Sequence, residues 1–237
     1  MEKPFISVII PSLNEEDYIE NTLRTLRNQD YKGKYEIILA DAMSTDKTVQ
    51  IAKGYTDRII TVKRKGIAAG KNAGAKVAKG NILLFIDSDT LPSPNLLSNI
   101  AKAYQNGEVV GVTCKLYALS SKKSIRTMYK LYNKFMHLSI KFKRATIPGI
   151  CNSFRKDAFD KLGGFNENLT TFEDVDLSHR ANKVGKIILL PNSFVLTSDR
   201  RVKNWGVIFS FFIYLFYHFK FFMTGNGFPE KHYKPVR

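Results

Sequence analysis

Cysteine is almost missing from this chain: Cys114 and Cys151 are the two in 237 residues. So few, without metal-ligand spacing, give no disulfide framework and no thiolate metal site, and they suit a reducing compartment. Acidic residues are scarce as well, 21 Asp and Glu against 37 Lys and Arg, for a formal net charge of +16. None occurs over residues 109–156. A surface this basic takes anionic partners, whether nucleic acid, anionic lipid or phosphorylated substrates. There is no internal repeat, low-complexity tract or long linker, which leaves one large domain or one domain plus an appendage. The chain enters a β-rich run at Phe5 too soon for a signal peptide, so a cytosol-facing protein is expected. Also lacking is an unbroken apolar run of membrane-spanning length. Residues 205–223 come nearest, but His218 and Lys220 interrupt them, and the uncharged centre, 206–217, falls short of the ~20 residues a span needs.

What is present organises around residues 82–90, I-L-L-F-I-D-S-D-T. Five consecutive apolar residues read as a strand buried on both faces. Asp87 and Asp89 follow where that strand leaves the sheet. Further strands are expected over 5–10, 35–40, 58–62, 109–113, 187–190 and 194–197. Between the early ones lie helical spacings at Tyr18, Ile19, Leu23 and Leu26, at 44–53 and at 68–78, with Asn14 as an N-cap for the first. Strands alternating with helices predict a largely parallel, doubly wound α/β sheet. Residues 124–144 space Ile125, Met128, Tyr132, Phe135, Leu138 and Phe142 at helical intervals among lysines and arginines. Such a basic amphipathic helix fits a membrane surface or a core-packed position. The apolar stretch at 205–223, flanked by Arg200, Arg201 and Lys203 and by Lys231, Lys234 and Arg237, reads as a helix in or across the inner membrane face, with a buried core helix as the alternative.

In a parallel sheet the loops after strands one, two and four emerge at one edge, where ligands of open α/β sheets bind. That gathers Asn14, Glu15, Asp41, Asp87 and Asp89. Clustered carboxylates repel unless a cation or donor groups offset them, and a divalent metal with a nucleotide diphosphate is the economical explanation. Asp41 suits the base or ribose. Lys71, on the helix after the turn at Lys65 and Gly66, is placed to reach a phosphate. Gly70 and Gly74 form a G-x-x-x-G whose commoner reason is close helix packing.

Six segments in order carry a resemblance: S-V-I-I-P-S-L-N-E-E (7–16), A-D-A-M-S-T-D (40–46), G-K-N-A-G-A (70–75), F-I-D-S-D-T (85–90), G-G-F (163–165) and F-E-D-V-D-L-S-H-R (172–180). Together they resemble the family 2 glycosyltransferases of GT-A fold. The resemblance implies a nucleotide-sugar donor bound around Pro11, Asn14, Glu15, Asp41, Lys71, Asp87 and Ser88, with Asp89 and Asp87 on Mg2+ or Mn2+. It implies Asp174 as the general base of an inverting transfer, and Gly149, Glu173 and Trp205 on the acceptor side. Arg200 and Arg201 match the basic segment of membrane-associated members, where they bind the donor diphosphate or a lipid phosphate, or merely flank the apolar helix. Residues 1–203 are then the catalytic domain and 204–237 a membrane-associating helix with a basic tail. The acceptor is expected to be lipid-linked, a polyprenyl phosphate among the options, with the catalytic domain on the cytoplasmic face of the cell membrane.

Two departures qualify the match. The family often reads D-D-G-S after strand two, where this chain has Asp41-Ala42-Met43-Ser44, which puts the loop shape in question. The Q-x-x-R-W signature of processive synthases is missing, which favours transfer of a single hexose. A nucleic-acid-binding module is disfavoured, since the aromatics concentrate in the apolar helix rather than among the basic residues. An inactive scaffold is disfavoured by the intact Asp89 and Asp174.

Overall fold

A computed structural model describes residues 3–64 and 66–225. Lys65 and the basic tail with Lys231, Lys234 and Arg237 lie outside the described residues. Aliphatic runs form the central strands, because side chains that alternate direction along a strand can all be buried only when both sheet faces are covered. The first strand, β1 (Ile6–Ser12), leads through a loop to α1 (Ile19–Arg27), then β2 (Tyr35–Asp41), α2 (Thr48–Ala52), β3 (Arg58–Thr61) and α3 (Ile67–Val77). The opening run becomes β4 (Ile82–Ile86), buried throughout. After it come β5 (Thr90–Pro92), α4 (Leu96–Ala103), β6 (Val109–Ala118), α5 (Lys123–Lys141), β7 (Cys151–Arg155) and α6 (Lys156–Lys161). The chain continues through α7 (Glu173–Ala181), β8 (Lys186–Thr197), α8 (Arg200–Trp205) and α9 (Val207–Thr224).

The sheet has eight strands in the order β3-β2-β1-β4-β7-β6-β8-β5. Strands β3, β2, β1 and β4 run parallel, and β7 is antiparallel to both β4 and β6. It is therefore mixed and mostly parallel, as expected. Val8, Ile10, Leu39 and Leu84 pack on one face with Leu23 and Leu26 of α1, Leu97 of α4 and Ile125 of α5. Ile9, Ile38, Leu83 and Phe85 pack on the other with Ala75 of α3, Phe159 of α6 and Leu177 of α7. Gly74 explains the small-residue helix: a Cβ there would stand 2.3 Å from Ile9 Cγ2. Close packing against β1 is thus the reason for that part of G-x-x-x-G.

Several expectations need correction. The two final strands are one, β8, because residues 191–193 bulge between Leu190 and Phe194 while pairing with β6 resumes on either side. After the D-S-D segment comes a short strand that the sequence does not announce, β5, which pairs with β8. Asn14 does not cap α1, whose first residue follows Tyr18 with no side-chain cap bond. Cys114 and Cys151 are buried free thiols whose Sγ atoms lie 3.7 Å apart. The apolar C-terminal stretch does form a helix, α9. Among the described residues, however, no helix is long and apolar enough to cross a membrane. Its 18 residues reach ~27 Å, and His218 and Lys220 lie within them.

Candidate active site at the carboxyl ends of the parallel strands

The loops after β1 and β2 brace each other. Asn14 (φ 53°) donates its amide to Ser44 Oγ at 2.9 Å, and its Oδ1 accepts from the Thr45 amide at 2.8 Å. Asp41, 4% exposed, accepts from Ser12 Oγ at 3.2 Å, the Ser44 amide at 2.9 Å and Ser44 Oγ at 2.5 Å. Much of its accepting capacity therefore shapes the loop. Met43 stands where the family often has glycine, and it takes the left-handed conformation (φ 63°) that glycine would serve. The turn survives the substitution at a cost of ~1–2 kcal/mol. Beside this loop opens a cleft of ≈ 370 Å³, lined by Asn14, Glu15, Tyr18, Thr45, Asp46 and Arg200 among others.

At the end of β4 the two aspartates differ. Asp87 donates its amide to Ile150 O at 3.1 Å, but its buried Oδ1 has no hydrogen-bond partner among the described residues. Burial pushes its carboxyl up to about 7, with Lys71 pulling down and Asp89 and Glu173 pushing further up. Asp89 is also raised by burial, opposed chiefly by Arg200. That guanidinium, at the start of α8, lies 2.7 Å from Glu15 Oε1 and 3.2 Å from Asp89 Oδ2, and over the Tyr18 ring at 4.8 Å. Ser88 is buried and fixed from below, its carbonyl accepting from Thr22 Oγ1 of α1 at 2.8 Å. Pro11 packs near Gly70, where a Cβ would come within 3.3 Å of its ring.

A second cluster surrounds the start of α7. Lys71 is fully buried, its ammonium 3.1 Å from Glu173 Oε1 and 3.3 Å from Gly149 O, above the Phe165 ring at 5.1 Å. Burial works against that charge, but Glu173, Asp87 and Asp174 together hold its pKa above the ordinary lysine value. Lys71 is thus a sealed counter-charge and not an open phosphate ligand, because α7 and the Gly149 loop cover it. Asp174 accepts a short hydrogen bond from the Gly149 amide and one from its own helix at Val175 N, 2.9 Å. Its carboxyl is raised to about 7 by burial and by Glu173, against the pull of Lys71. A side chain at Gly149 would push on both groups, since a Cβ would lie 2.8 Å from Lys71 Nζ and 3.2 Å from Asp174 Oδ2. Phe172, directly before Glu173, is left-handed (φ 64°, ψ 17°).

The structure therefore makes two groups, Glu15–Asp89–Arg200 and Lys71–Glu173–Asp174–Gly149, with Asp87 electrostatically in touch with both. Arg201 lies over the Trp205 ring at 5.9 Å, and Trp205 packs on Phe209 and Tyr214 of α9. Two tyrosines of α5, Tyr129 and Tyr132, also lie close to these charges. Burial raises both hydroxyls, with Tyr214 and Asp89 adding at Tyr129 and Asp174 at Tyr132. The helical spacing marked Tyr132 as part of an apolar stripe but not Tyr129, and spacing does not show that either lies near acidic groups.

Among the described residues, no group of three or more His, Cys, Asp or Glu side chains forms a metal cage. Asp87 and Asp89 are nevertheless a hard-oxygen pair, one with an unpartnered buried oxygen. They fit Mg2+ or Mn2+, cations that take one or two carboxylates and complete their shell with phosphate oxygens and water.

This sheet, with acid-bearing loops at the carboxyl ends of its parallel strands, defines a GT-A fold, the architecture of nucleotide-diphospho-sugar transferases. Residues 7–163, more than half of the chain, match the family described as Glycosyl transferase family 2, and the chain belongs to that family. It is 28% identical over 193 residues to a beta-monoglucosyldiacylglycerol synthase of a Nostoc species, covering 75% of this chain and 41% of that one. It superposes on the mannosyltransferase PcManGT of Pyrobaculum calidifontis, solved with GDP-Man and Mn2+, with a TM-score of 0.69 and 24% identity, over 83% of this chain and 57% of that one. Staphylococcus aureus TarS 1-349 with UDP-GlcNAc gives 0.68 and 22%, over 84% and 59%. At such identities these structures speak to the fold alone. The chain spans about half the length of the curated relatives it matches.

Proposed function

We propose that this chain moves a single hexose from a nucleotide sugar, UDP- or GDP-linked, to a lipid-linked acceptor at a membrane surface, with inversion at the anomeric carbon. The observation that carries this reading is the division of the charged side chains into two groups. Asp89 with Glu15 and Arg200 make one, and Asp174, its carboxyl raised by burial, makes the other with Gly149 and Lys71–Glu173. The names of relatives and neighbours support it: one carries a glycolipid product, others GDP-Man with Mn2+ and UDP-GlcNAc.

The nucleoside lies along Asn14, Glu15 and Asp41, and its diphosphate reaches Asp87, Ser88 and Asp89. Asp89, with Asp87, would hold Mg2+ or Mn2+, which when bound neutralises the diphosphate as it leaves. Arg200, bidentate by nature, exchanges a carboxylate for a phosphate oxygen, and Arg201 adds positive charge nearby. On the acceptor side, Asp174 takes the hydroxyl proton as that oxygen bonds to the anomeric carbon and the bond to the diphosphate breaks. One in-line displacement inverts the centre. With a polyprenyl phosphate the attacking oxygen is already ionised, and Asp174 then orients the acceptor instead. Residues 1–203 form the catalytic domain; 204–237 hold it at the cytoplasmic face, where Trp205 and the basic α5 meet headgroups.

A panel of UDP- and GDP-sugars with Mn2+, read by thermal shift, tests the donor half. A ligand at a hundred times its Kd adds ~2.7 kcal/mol, or about 5–10 °C for a chain of this size. If no nucleotide sugar shifts the wild-type melt, with or without metal, the reading is wrong.

A further inference from the structure

Helix α9 is mostly apolar, interrupted by Ser210, His218 and Lys220, and its two faces have different fates. Ser210, Tyr217 and Phe221 are buried and Ile213 and Tyr214 partly so, a stripe at helical spacing that packs on Phe172 and Val175. Phe209, Phe212, Leu215, Phe216, Phe219 and Met223 are exposed on the other side. Phe135 of α5 touches His218 at 5.6 Å, so the exposed Phe135 and Leu138 extend the same surface. Lys130, Lys134 and Lys141, all exposed on α5, give it positive charge. An apolar surface bordered by lysines fits a lipid layer with anionic headgroups.

The buried stripe grips a particular residue. Phe172 stacks on Phe221 at 5.3–5.4 Å from both of its α9 partners, parallel to Phe221 (18°) and edge-on to His218 (74°). It holds the left-handed conformation that turns the chain into Glu173 and Asp174, and its carbonyl accepts from Asp176 N at 2.9 Å. A bulky side chain keeps such a backbone only where its surroundings over-determine it. Here α9 supplies those surroundings.

We infer that Phe172 is a positioning residue through which lipid contact at α9 steadies the orientation of Asp174, so that the site is held most firmly in its formed state at an anionic membrane surface. The inference rests on the proposed role of Asp174 as base. Lipid at the outer face of α9 holds its inner face on Phe172, steadying the first turn of α7 and the bond that the Asp174 carboxylate accepts from the Gly149 amide.

The test is hydrogen exchange at the amides of residues 174–178, measured on the whole chain with and without phosphatidylcholine vesicles containing phosphatidylglycerol. Wild-type exchange should slow by about tenfold on the anionic vesicles. Phe221→Ala should still sediment with the vesicles but lose the slowing, and Phe221→Leu should regain most of it. In parallel, Phe221→Ala should lower kcat for nucleotide-sugar breakdown by about tenfold on vesicles, with the donor KM unchanged. Exchange at 174–178 that ignores lipid in the wild type, or a Phe221→Ala response equal to wild type, overturns the inference. Slowing that follows protein concentration instead of lipid assigns the surface to a second copy and also overturns it. A lipid response in exchange without any nucleotide-sugar breakdown would instead count against the proposed function, leaving the coupling in place.

Discussion

Lys71→Met removes the one buried ammonium of the Glu173–Asp174–Gly149 cluster while keeping most of its volume. Lys71 is fully buried and its partner Glu173 is 5% exposed, so the carboxylates left behind have little water to turn to. Breaking a buried pair by removing one partner costs ~3–5 kcal/mol. For a chain of this size that is a fall of about 6–20 °C in Tm. Adding Glu173→Gln should restore most of it, because the uncompensated charge goes with it; the coupling energy of the cycle should exceed ~2 kcal/mol. The pH dependence has a definite sign. Asp87 and Asp174 already stand at about 7, well above their unfolded value, and the loss of Lys71 raises them further. A carboxyl raised on folding favours the folded state below its unfolded pKa, and that advantage is lost as pH rises through the folded value. The variant should therefore lie closest to wild type at pH 5 and furthest below it at pH 8. Chemical denaturation at both pH values measures this. A loss under ~1 kcal/mol at pH 8, or strict additivity with Glu173→Gln, would refute the account of Lys71 as the cluster's counter-charge.

Three further outcomes are expected. Donor turnover should rise with pH through about 7 and level off above it, since the proposed base Asp174 takes a proton only when ionised and burial holds its carboxyl at about 7; a pH-rate profile checks it. Gly149→Ala should leave thermal shifts with nucleotide and Mn2+ intact but lower turnover by ~10²-fold or more, because the new Cβ meets Lys71 Nζ at 2.8 Å and displaces Asp174. Met43→Gly should raise stability by ~0.5–1 kcal/mol, as relief of a left-handed side chain outweighs the added chain entropy at an exposed position; denaturant midpoints decide that.

The route from residues to site was partly open to a reader of the sequence. Residues 82–86 read as a doubly buried strand because nothing else suits five consecutive apolar residues before an aspartate, and β4 is buried throughout. The convergence of the loops after β1, β2 and β4 follows from parallel alternation. What stayed hidden depends on contacts between distant parts of the chain. Arg200 meets Glu15 across 185 residues, and no local pattern encodes that pairing. Lys71 looked like a phosphate ligand because its helix starts at a glycine turn; α7, a hundred residues on, is what seals it. The periodicity of α5 identified an apolar stripe containing Tyr132, but periodicity does not name what a stripe packs against. Residues 191–193 interrupt the apolar pattern and so divide β8 into two runs, whereas pairing with β6 resumes beyond the bulge and makes it one strand.

In the proposed function, donor binding and proton removal are separate tasks of the two charged groups. Asp174→Asn tests it in a single sample, with nucleoside-diphosphate release and nucleotide-sugar affinity followed together in the presence of Mn2+ and lipid vesicles. The Kd should be unchanged and the release rate lower by ~10²–10⁴-fold. A variant that releases nucleoside diphosphate at the wild-type rate, or that loses the donor altogether, would contradict it.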